Sequence, residues 1–367
     1  MDHPYKSAPD RAFWKRAFAT SWEVSNLVEG PPLICKGEKV ASAGSCFAAN
    51  IVPFLERAGF EYVRREIPPP VFADVAVDHF NYSRFSAAFG NIYTARQAAQ
   101  MLRRALGRFH PAEDRWVVSD DLIIDPFRPG LKYPAISNRE FDLLTAQHLA
   151  NVLDAVRAAD VFVFTLGLTE AWISRMDGAV FPACPGTVAG TFDPARHSFH
   201  NFSLREVTQD LDDLINLARE VNPRVRFVLT VSPVPLVATA SGEHVLVATT
   251  YSKSVLRVAA TEVAQSRADV KYFPAYEIVT GPQAPVEFFE ADRREPSAAA
   301  IGAVMRAFLS RCETDGAFDV GDVSLPNAKQ ASLPDSKPAT TSASDDFAKH
   351  MSALIAEAQC EEAAAGR

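Results

Sequence analysis

The sequence predicts an α/β fold: a three-layer α/β/α sandwich around a mainly parallel sheet, with an inserted loop-rich cap. Segments with strand and helix character alternate from residue 38 to residue 312, which is typical of parallel sheets whose connections are helices. The run 161–166 is apolar without a break, as a strand covered by helices on both faces requires. Hydrophobic residues make up 48% of the 367 residues, which allows a sizeable core.

Local signals support the individual elements. Thr94 precedes a helical pattern as a predicted N-cap, and Ser137 with Glu140 matches a capping box at the start of a long helix. A polar turn at 119–121 is expected to join two short strands into a hairpin. The predicted strands are 38–44, 116–118, 122–124, 161–166, 225–231 and 270–274. The predicted helices are 48–58, 94–107, 137–159, 204–220, 251–267 and 297–312.

Composition divides the chain into four segments. Residues 1–37 are rich in aromatic side chains, and we expect them to pack on the α/β domain, 38–314. Within that domain 61–135 interrupts the alternation, beginning with a proline-rich loop at 61–90, and is expected to cap the site. Residues 315–345 form a predicted disordered linker, and 346–367 a weak helix. The N-terminal aromatic residues are Phe13, Trp14, Phe18 and Trp22.

Charge and cysteine usage exclude several classes of protein. The net charge is -8 and no stretch is dense in Lys and Arg, so no nucleic-acid partner is predicted. No membrane span is expected, because no run approaches roughly 18 apolar residues. The N-terminus lacks the order of a secretory signal, so we expect a cytoplasmic protein. The five cysteines are widely spaced without a Cys-x-x-Cys pair, so no disulfide framework, metal site or cofactor is predicted.

The segment Gly44-Ser45-Cys46-Phe47-Ala48 closes the first predicted strand and precedes a helical pattern. Many α/β hydrolytic enzymes present a nucleophile in this way, at the carboxyl end of a parallel strand with a helix directly after it. A thiol is the better intrinsic nucleophile, and a helix N-terminus lowers its pKa. The alternative is that Cys46 is only a small residue in a tight turn.

This pentapeptide, with the segments 165–172 and 232–236, resembles the GSCFA family, an SGNH-hydrolase-like group, over 38–312. The resemblance implies an SGNH-hydrolase or flavodoxin-like fold with its chemistry at the ends of successive strands. The first of the family's sequence blocks corresponds to Gly44-Ser45-Cys46, and there the resemblance implies Cys46 as the nucleophile. If the alignment with the family pattern is shifted by one residue, Ser45 is the nucleophile instead. In the second block Thr169 takes the place of the usual oxyanion-binding Asn, and Glu170 that of Asp.

Further substrate contacts are expected around these blocks. Gly167 lets the backbone approach a ligand, although the turn is equally typical of an ordinary strand-to-helix connection with Thr169 as N-cap. The segment 89–94 resembles the oxyanion side of the family site, where the backbone of Gly90 and the amide of Asn91 are donors. Other candidate substrate-binding residues are Gly44, Lys253 and Arg257. The two basic residues share a helix face that suits an anionic group, or a salt-bridged surface.

The last SGNH block is Asp-x-x-His, in which the His is the general base. Here Asp292 matches, but Glu295 stands at the His position. Three interpretations remain open. Glu295 acts as the base if burial raises its pKa, or a histidine from elsewhere in the sequence is the base. In the third, the site binds a ligand without catalysing a reaction. His200, in a polar loop before a helix, and His244, in the loop after the strand 225–231, are expected near the same sheet edge. His79 is a third candidate.

These residues predict an esterase or O-acyltransferase that acts on an acyl ester, which the resemblance makes a carbohydrate or glycan ester. Its nucleophile is Cys46 or Ser45, its base is His200 or His244 with Asp292 and Glu295 near it, and its substrate is a small molecule or glycan. The first rival is a non-catalytic binding protein that kept the fold and lost the base. A metal enzyme is suggested by the acidic residues of 290–295 but lacks paired His spacing.

Overall fold

The computed structural model describes residues 3–18, 27–66, 82, 84–119, 122–131 and 133–314. The predicted linker 315–345, the predicted helix 346–367 and most of the proline-rich loop lie outside these residues. Trp22, His79 and the centre of the predicted hairpin turn also lie outside them, as does the side chain of Cys46.

The described residues form ten strands and nine α-helices. The strands are β1 (Lys39–Gly44), β2 (Glu61–Tyr62), β3 (Trp116–Ser119), β4 (Leu122–Ile124), β5 (Val161–Leu166), β6 (Glu170–Ser174), β7 (Val180–Phe181), β8 (His197–Asn201), β9 (Arg226–Val231) and β10 (Val270–Phe273). The helices are α1 (Trp14–Ala17), α2 (Cys46–Ala49), α3 (Ile51–Arg57), α4 (Ala95–Ala105), α5 (Asn138–Ala158), α6 (Leu204–Val221), α7 (Val245–Ser266), α8 (Ala275–Thr280) and α9 (Ala298–Leu309).

The central sheet is parallel and has the order β10-β9-β5-β1-β2, so the predicted α/β fold class is confirmed. Numbered by chain order within the sheet, this is the 2-1-3-4-5 arrangement of flavodoxin-like folds. In such sheets ligands bind outside the carboxyl ends of the strands, where the strand order reverses. Here that switch point lies between β1 and β5.

Alternate residues of the central strands supply two separate cores. Phe162, Phe164 and Leu166 of β5 pack on one face of the sheet with α4, α5, α6 and α7. Val161 and Val163 pack on the other face with α3, α8 and α9. All six β5 residues are therefore buried, which explains the unbroken apolar run in the sequence.

A second, three-stranded antiparallel sheet with the order β7-β6-β8 follows β5, and the sequence did not predict it. Trp172 of β6 lies opposite Phe199 of β8. The alternative of a strand-to-helix turn with Thr169 as N-cap is therefore wrong, because residues 170–174 form a strand, and the expected loop around His200 is β8. Four of the five residues of β8 are polar, which hid its strand character in the sequence.

Several element ends differ from the expected ones. Thr94 caps α4 as predicted, since its hydroxyl accepts the Gln97 N–H. Ser137 caps α5, but the Glu140 carboxylate accepts from the Ile136 N–H and the Tyr133 hydroxyl instead of completing a capping box. The helix α7 begins at Val245, six residues before its expected start. The expected helix 48–58 is divided at residue 50 into α2 and α3.

The N-terminal segment attaches to the domain through its last residues. Leu33 and Ile34 are buried, and the Leu33 N–H donates to the Arg311 carbonyl 2.6 Å away. Trp14, in contrast, is 71% exposed, so the packing expected for this aromatic residue is not found. Within the described part of the chain, no helix has the length and apolar character needed to cross a membrane.

Candidate functional site

The turn after β1 holds Gly44, Ser45 and Cys46 at the switch point of the sheet. Gly44 has φ +151°, and a Cβ there would lie 2.7 Å from the Thr165 carbonyl oxygen on β5, so only glycine fits. Ser45 precedes α2 without making a side-chain cap bond, and Cys46 is the first residue of that helix. The Ser45 side chain is buried, and its hydroxyl has no hydrogen-bond partner among the described residues. An unsatisfied buried hydroxyl is costly, which is typical of a functional position.

The segment 90–93 connects the ends of β1 and β5. The Ile92 N–H donates to the Gly44 carbonyl over 2.9 Å, and the Tyr93 carbonyl accepts the N–H groups of Gly167 and Leu168. A Cβ on Gly167 would lie 3.0 Å from the Tyr93 carbonyl oxygen, so this glycine permits the close approach. The structure thus brings together the first block, the segment 90–93 and the second block.

An apolar pocket of about 210 Å³ opens beside this junction. Its polar lining includes Asn91, Tyr93, Glu170 and Thr239. Several pocket residues were not among the predicted site residues, because they lie on the unpredicted strands β6, β7 and β8, in the loop after β7 or in the loop after β9. Those residues are Trp172, Phe181, Val188, Phe199, Leu236 and Thr239. Only the alternation of Phe199 with its polar neighbours Ser198 and His200 signals such a wall in the sequence.

Thr169 and Glu170 have different surroundings although they are adjacent. The Thr169 hydroxyl donates to the Asn201 side chain at 2.7 Å, and the Thr169 N–H donates to the Ser252 hydroxyl at 2.9 Å. Thr169 is completely buried and fixes the start of β6. Glu170 lines the pocket, and its carboxylate accepts the Thr239 hydroxyl at 2.7 Å. Burial raises the pKa of Glu170, and its hydrogen bonds oppose this rise only in part.

Asn91 and Gly90 lie at the rim between the pocket and the β1 turn. The Asn91 side-chain amide donates to the Tyr93 hydroxyl at 3.1 Å, which uses one of its two N–H groups. Gly90 has φ +66°, a conformation that favours glycine. A Cβ at Gly90 would lie 3.4 Å from the Cα of Arg128, so this turn also packs closely on the loop before Pro129 and Gly130.

The two basic candidates do not form a joint anion site. Lys253 is buried, and its ammonium group donates to the Gly167 carbonyl 2.5 Å away. Arg257 forms an ion pair with Glu277 and covers the ring of Tyr272 at 4.0 Å. Although the two residues are one turn apart on α7, they have different partners. Lys253 bonds the turn after β5 at the switch point, whereas Arg257 joins α7 to α8.

Neither described histidine candidate lines the pocket. His200 Nε2 lies 2.8 Å from the Glu206 carboxylate, and the ring packs edge-on against Phe202. Because neighbouring strand residues face opposite sides, Phe199 lines the pocket while His200 contacts α6. His244 is the exposed N-cap of α7, where its ring nitrogen accepts the Leu246 N–H.

Asp292 and Glu295 belong to the loop before α9. The Asp292 carboxylate accepts the N–H groups of Arg294 and Glu295, which closes a local turn. Glu295 is 41% exposed and pairs with Arg294 at 3.4 Å. Phe289 of this loop and Phe47, next to the nucleophile turn, pack in the same apolar cluster. Among the residues that the structure describes, no cluster of His, Cys, Asp and Glu is arranged to hold a metal ion.

Solved structures similar to this chain include carbohydrate esterases. A carbohydrate esterase family 3 protein from Talaromyces cellulolyticus is 10% identical, with a TM-score of 0.35, over 74% of this chain and 93% of that chain. A family 3 carbohydrate esterase from Clostridium thermocellum is 12% identical, with a TM-score of 0.31, over 74% and 94%. At these values the likeness says nothing about activity. No protein with a curated function matches the sequence significantly.

A family model gives the decisive match. The model of the GSCFA family matches residues 39–308, which is most of the chain and includes every block of the site described above. The resemblance inferred from the pentapeptide at 44–48 is thereby confirmed. This chain belongs to the GSCFA family.

Proposed function

We propose that this protein cleaves or transfers an acyl ester, with Cys46 or Ser45 as the nucleophile. The observation that carries the proposal is the turn at the carboxyl end of β1, where Ser45 keeps a buried hydroxyl without a hydrogen-bond partner among the described residues. The family pattern favours Cys46 and the unsatisfied hydroxyl favours Ser45. Both residues stand at the switch point of a parallel sheet, which is the usual position of a site in this architecture.

The oxyanion of the tetrahedral intermediate would be bound by the Asn91 amide and the Gly90 N–H. Asn91 lines the pocket and has a second N–H beyond the one donated to Tyr93. Ile92, the next residue, hydrogen-bonds to Gly44, so these donors adjoin the nucleophile turn. Thr169 takes a positioning role in this proposal, because its hydroxyl proton is directed at Asn201.

Glu295, assisted by Asp292, is our proposed general base. Its loop shares an apolar cluster with Phe47, and it keeps the position that the family pattern gives to the base, three residues before α9. His200 and His244 are weaker candidates, since one is held by Glu206 and the other caps α7. A carboxylate can act as a general base when it lies within hydrogen-bond reach of the proton that it removes.

A carbohydrate or glycan ester is the substrate class that we propose, for either a hydrolase or an O-acyltransferase. The pocket combines the aromatic side chains of Trp172 and Phe199 with the polar groups of Asn91, Glu170 and Thr239. The rival function is a binding protein without catalysis. It is favoured by one observation, that no histidine is among the described residues lining the pocket.

Turnover of p-nitrophenyl acetate by the wild type, Cys46→Ala and Ser45→Ala tests the proposal, with mass spectrometry for an acyl adduct. Loss of turnover and of the adduct in one variant only would identify the nucleophile. Cys312→Ala serves as the control for nonspecific thiol chemistry, because burial raises the pKa of Cys312 to about 12 and keeps its thiol protonated. A wild type without turnover or adduct would favour the binding protein.

A further inference from the structure

The pocket beside the segment 90–93, whose described lining includes no residue of the turn 44–48, carries a single acidic group. Glu170 is the only ionisable carboxyl, and no lysine, arginine or histidine accompanies it, among the described residues that line the pocket. Glu170 is 8% exposed, so little water screens its charge. An anionic ligand would meet this carboxylate in an apolar surrounding without a compensating cation from the described lining.

Hydrogen bonds hold the Glu170 carboxyl in one orientation. The Thr239 hydroxyl donates to Glu170 Oε1, and Thr239 in turn lies 2.8 Å from the Ser241 hydroxyl and accepts the Ser241 N–H. The loop after β9 is thereby fixed to β6. Since Thr239 directs its proton at Glu170, the carboxyl is left as the hydrogen-bond acceptor that a ligand meets at this end of the pocket.

The pocket wall formed by β6 and β8 is aromatic and uncharged next to Glu170. Trp172 and Phe199 are cross-strand partners on β6 and β8, with ring centroids 6.0 Å apart in an edge-to-face arrangement. Phe192, which is not among the residues lining the pocket, packs edge-on against Trp172 with ring centroids 5.2 Å apart. This support makes the wall rigid, so the pocket suits a ligand with one apolar face and one edge that carries hydroxyl groups.

We propose that the pocket binds an uncharged, hydroxyl-bearing part of the ester substrate, and that Glu170 determines this selectivity. Glu170 accepts a hydrogen bond from a ligand hydroxyl and repels carboxylates. The inference rests on the proposed function only for the statement that the ligand is part of an ester. The uncharged group proposed here takes the place of the anionic substrate group expected from Lys253 and Arg257, because neither residue lines the pocket.

Two methyl glycosides of equal shape test the proposal by binding alone. Methyl β-D-glucopyranoside is neutral, and methyl β-D-glucuronide carries a carboxylate in place of one CH₂OH group. Titration calorimetry with the full chain at pH 7.5 should show at least ten-fold tighter binding of the neutral ligand. Glu170→Gln, which keeps the shape and removes the charge, should reduce this ratio at least five-fold. Glu262→Gln removes an exposed charge on α7 outside the pocket and should leave the ratio unchanged.

The proposal would be overturned by equal or tighter binding of the glucuronide by the wild type, by an unchanged ratio in Glu170→Gln, or by no binding of either glycoside. Tighter binding of choline than of the neutral glycoside would also overturn it, because the carboxylate would then serve a cation. The assay separates this inference from the proposed function. Selective binding without p-nitrophenyl acetate turnover refutes only the esterase, and turnover without selective binding refutes only the pocket assignment.

Discussion

The ammonium group of Lys253 donates to the carbonyl oxygen of Gly167 over 2.5 Å, in a position where the lysine is only 1% exposed. The neighbouring Ser252 hydroxyl accepts the Thr169 N–H. Together these two α7 residues fix the turn between β5 and β6, which in turn contacts Tyr93 and the segment leading to Gly44. A buried amine is costly unless it is hydrogen-bonded, and here the hydrogen bond goes to the turn at the switch point, so Lys253 has a positioning role there.

We expect Lys253→Met to lower kcat for ester turnover at least ten-fold. The methionine keeps most of the volume but removes the hydrogen bond to the Gly167 carbonyl, and this bond holds the turn that contacts Tyr93 beside the proposed oxyanion donors. Lys271→Met on β10 makes the same change in net charge away from the site and should retain kcat. Steady-state kinetics on both variants, with circular dichroism to check folding, provide the test. A fully active, folded Lys253→Met would show that the lysine only packs.

Gly44→Ala should destabilise the fold by at least about 2 kcal/mol. The new Cβ would lie within 2.9 Å of the Thr165 carbonyl oxygen, the Thr165 Cβ and the Ala48 Cβ, and none of these atoms belongs to a flexible side-chain end. Overpacking costs about 1–3 kcal/mol and the positive φ about 1–2 kcal/mol. Urea denaturation measures the difference from the wild type.

Gly107→Ala is the matched control for this prediction. Gly107 also has a positive φ, +68°, but a Cβ there meets nothing within 4 Å. Its substitution therefore isolates the backbone cost, which should be the smaller of the two. Equal destabilisation by both substitutions would mean that the contact between β1 and β5 tolerates a methyl group at Gly44.

A buried ionic cluster supports the other side of the site. Arg128 bonds the carboxylates of Glu66 and Asp125, and His148 Nδ1 lies 2.7 Å from Glu66. Burial raises the pKa of Glu66, but His148, Arg128 and the Ala88 N–H outweigh it and lower this pKa to about 2. Because Ala88 and Arg128 flank the turn at Gly90, the cluster positions the proposed oxyanion donors.

The lowered pKa of Glu66 makes stability dependent on pH. The native carboxylate stays ionised where the unfolded one is protonated, so its contribution is complete well above pH 4.5 and is lost as the pH falls toward 2. Between pH 7 and pH 3 the wild type should lose about 2 kcal/mol more than Glu66→Gln. Urea denaturation at both values tests this, with the exposed Glu61→Gln as control. Equal losses in wild type and Glu66→Gln would contradict the shift.

The sequence predicted the features that follow from local chemistry. The apolar run of β5 and the N-cap at Thr94 can each be read from a few neighbouring residues. The parallel sheet followed from the alternation of strands and helices, because such connections allow few topologies. The first block and the segment at Asn91 were also expected to share one edge of the sheet, and hydrogen bonds join them there.

Features that depend on distant partners were not predictable in this way. Thr169 matched an oxyanion position by spacing, yet its hydroxyl is taken by Asn201, 32 residues along the chain. Lys253 and Arg257 shared a helix face, but one meets Gly167 and the other Glu277. The pairing of β6 with β8 decided both the pocket wall and the direction of His200, and no local pattern fixed that pairing.

Asn91→Ala should lower kcat for ester turnover by about 10²-fold with little change in KM, as the loss of one oxyanion donor does in enzymes of this kind. The effect falls on kcat because the amide would contact the charge that develops in the transition state rather than the bound ester. Tyr93→Phe is the control, since it removes the hydroxyl that accepts from Asn91 and leaves the amide in place. A loss in Tyr93→Phe as large as that in Asn91→Ala would mean that Asn91 acts by holding Tyr93, whereas a normal kcat in Asn91→Ala would remove it from the proposed oxyanion site.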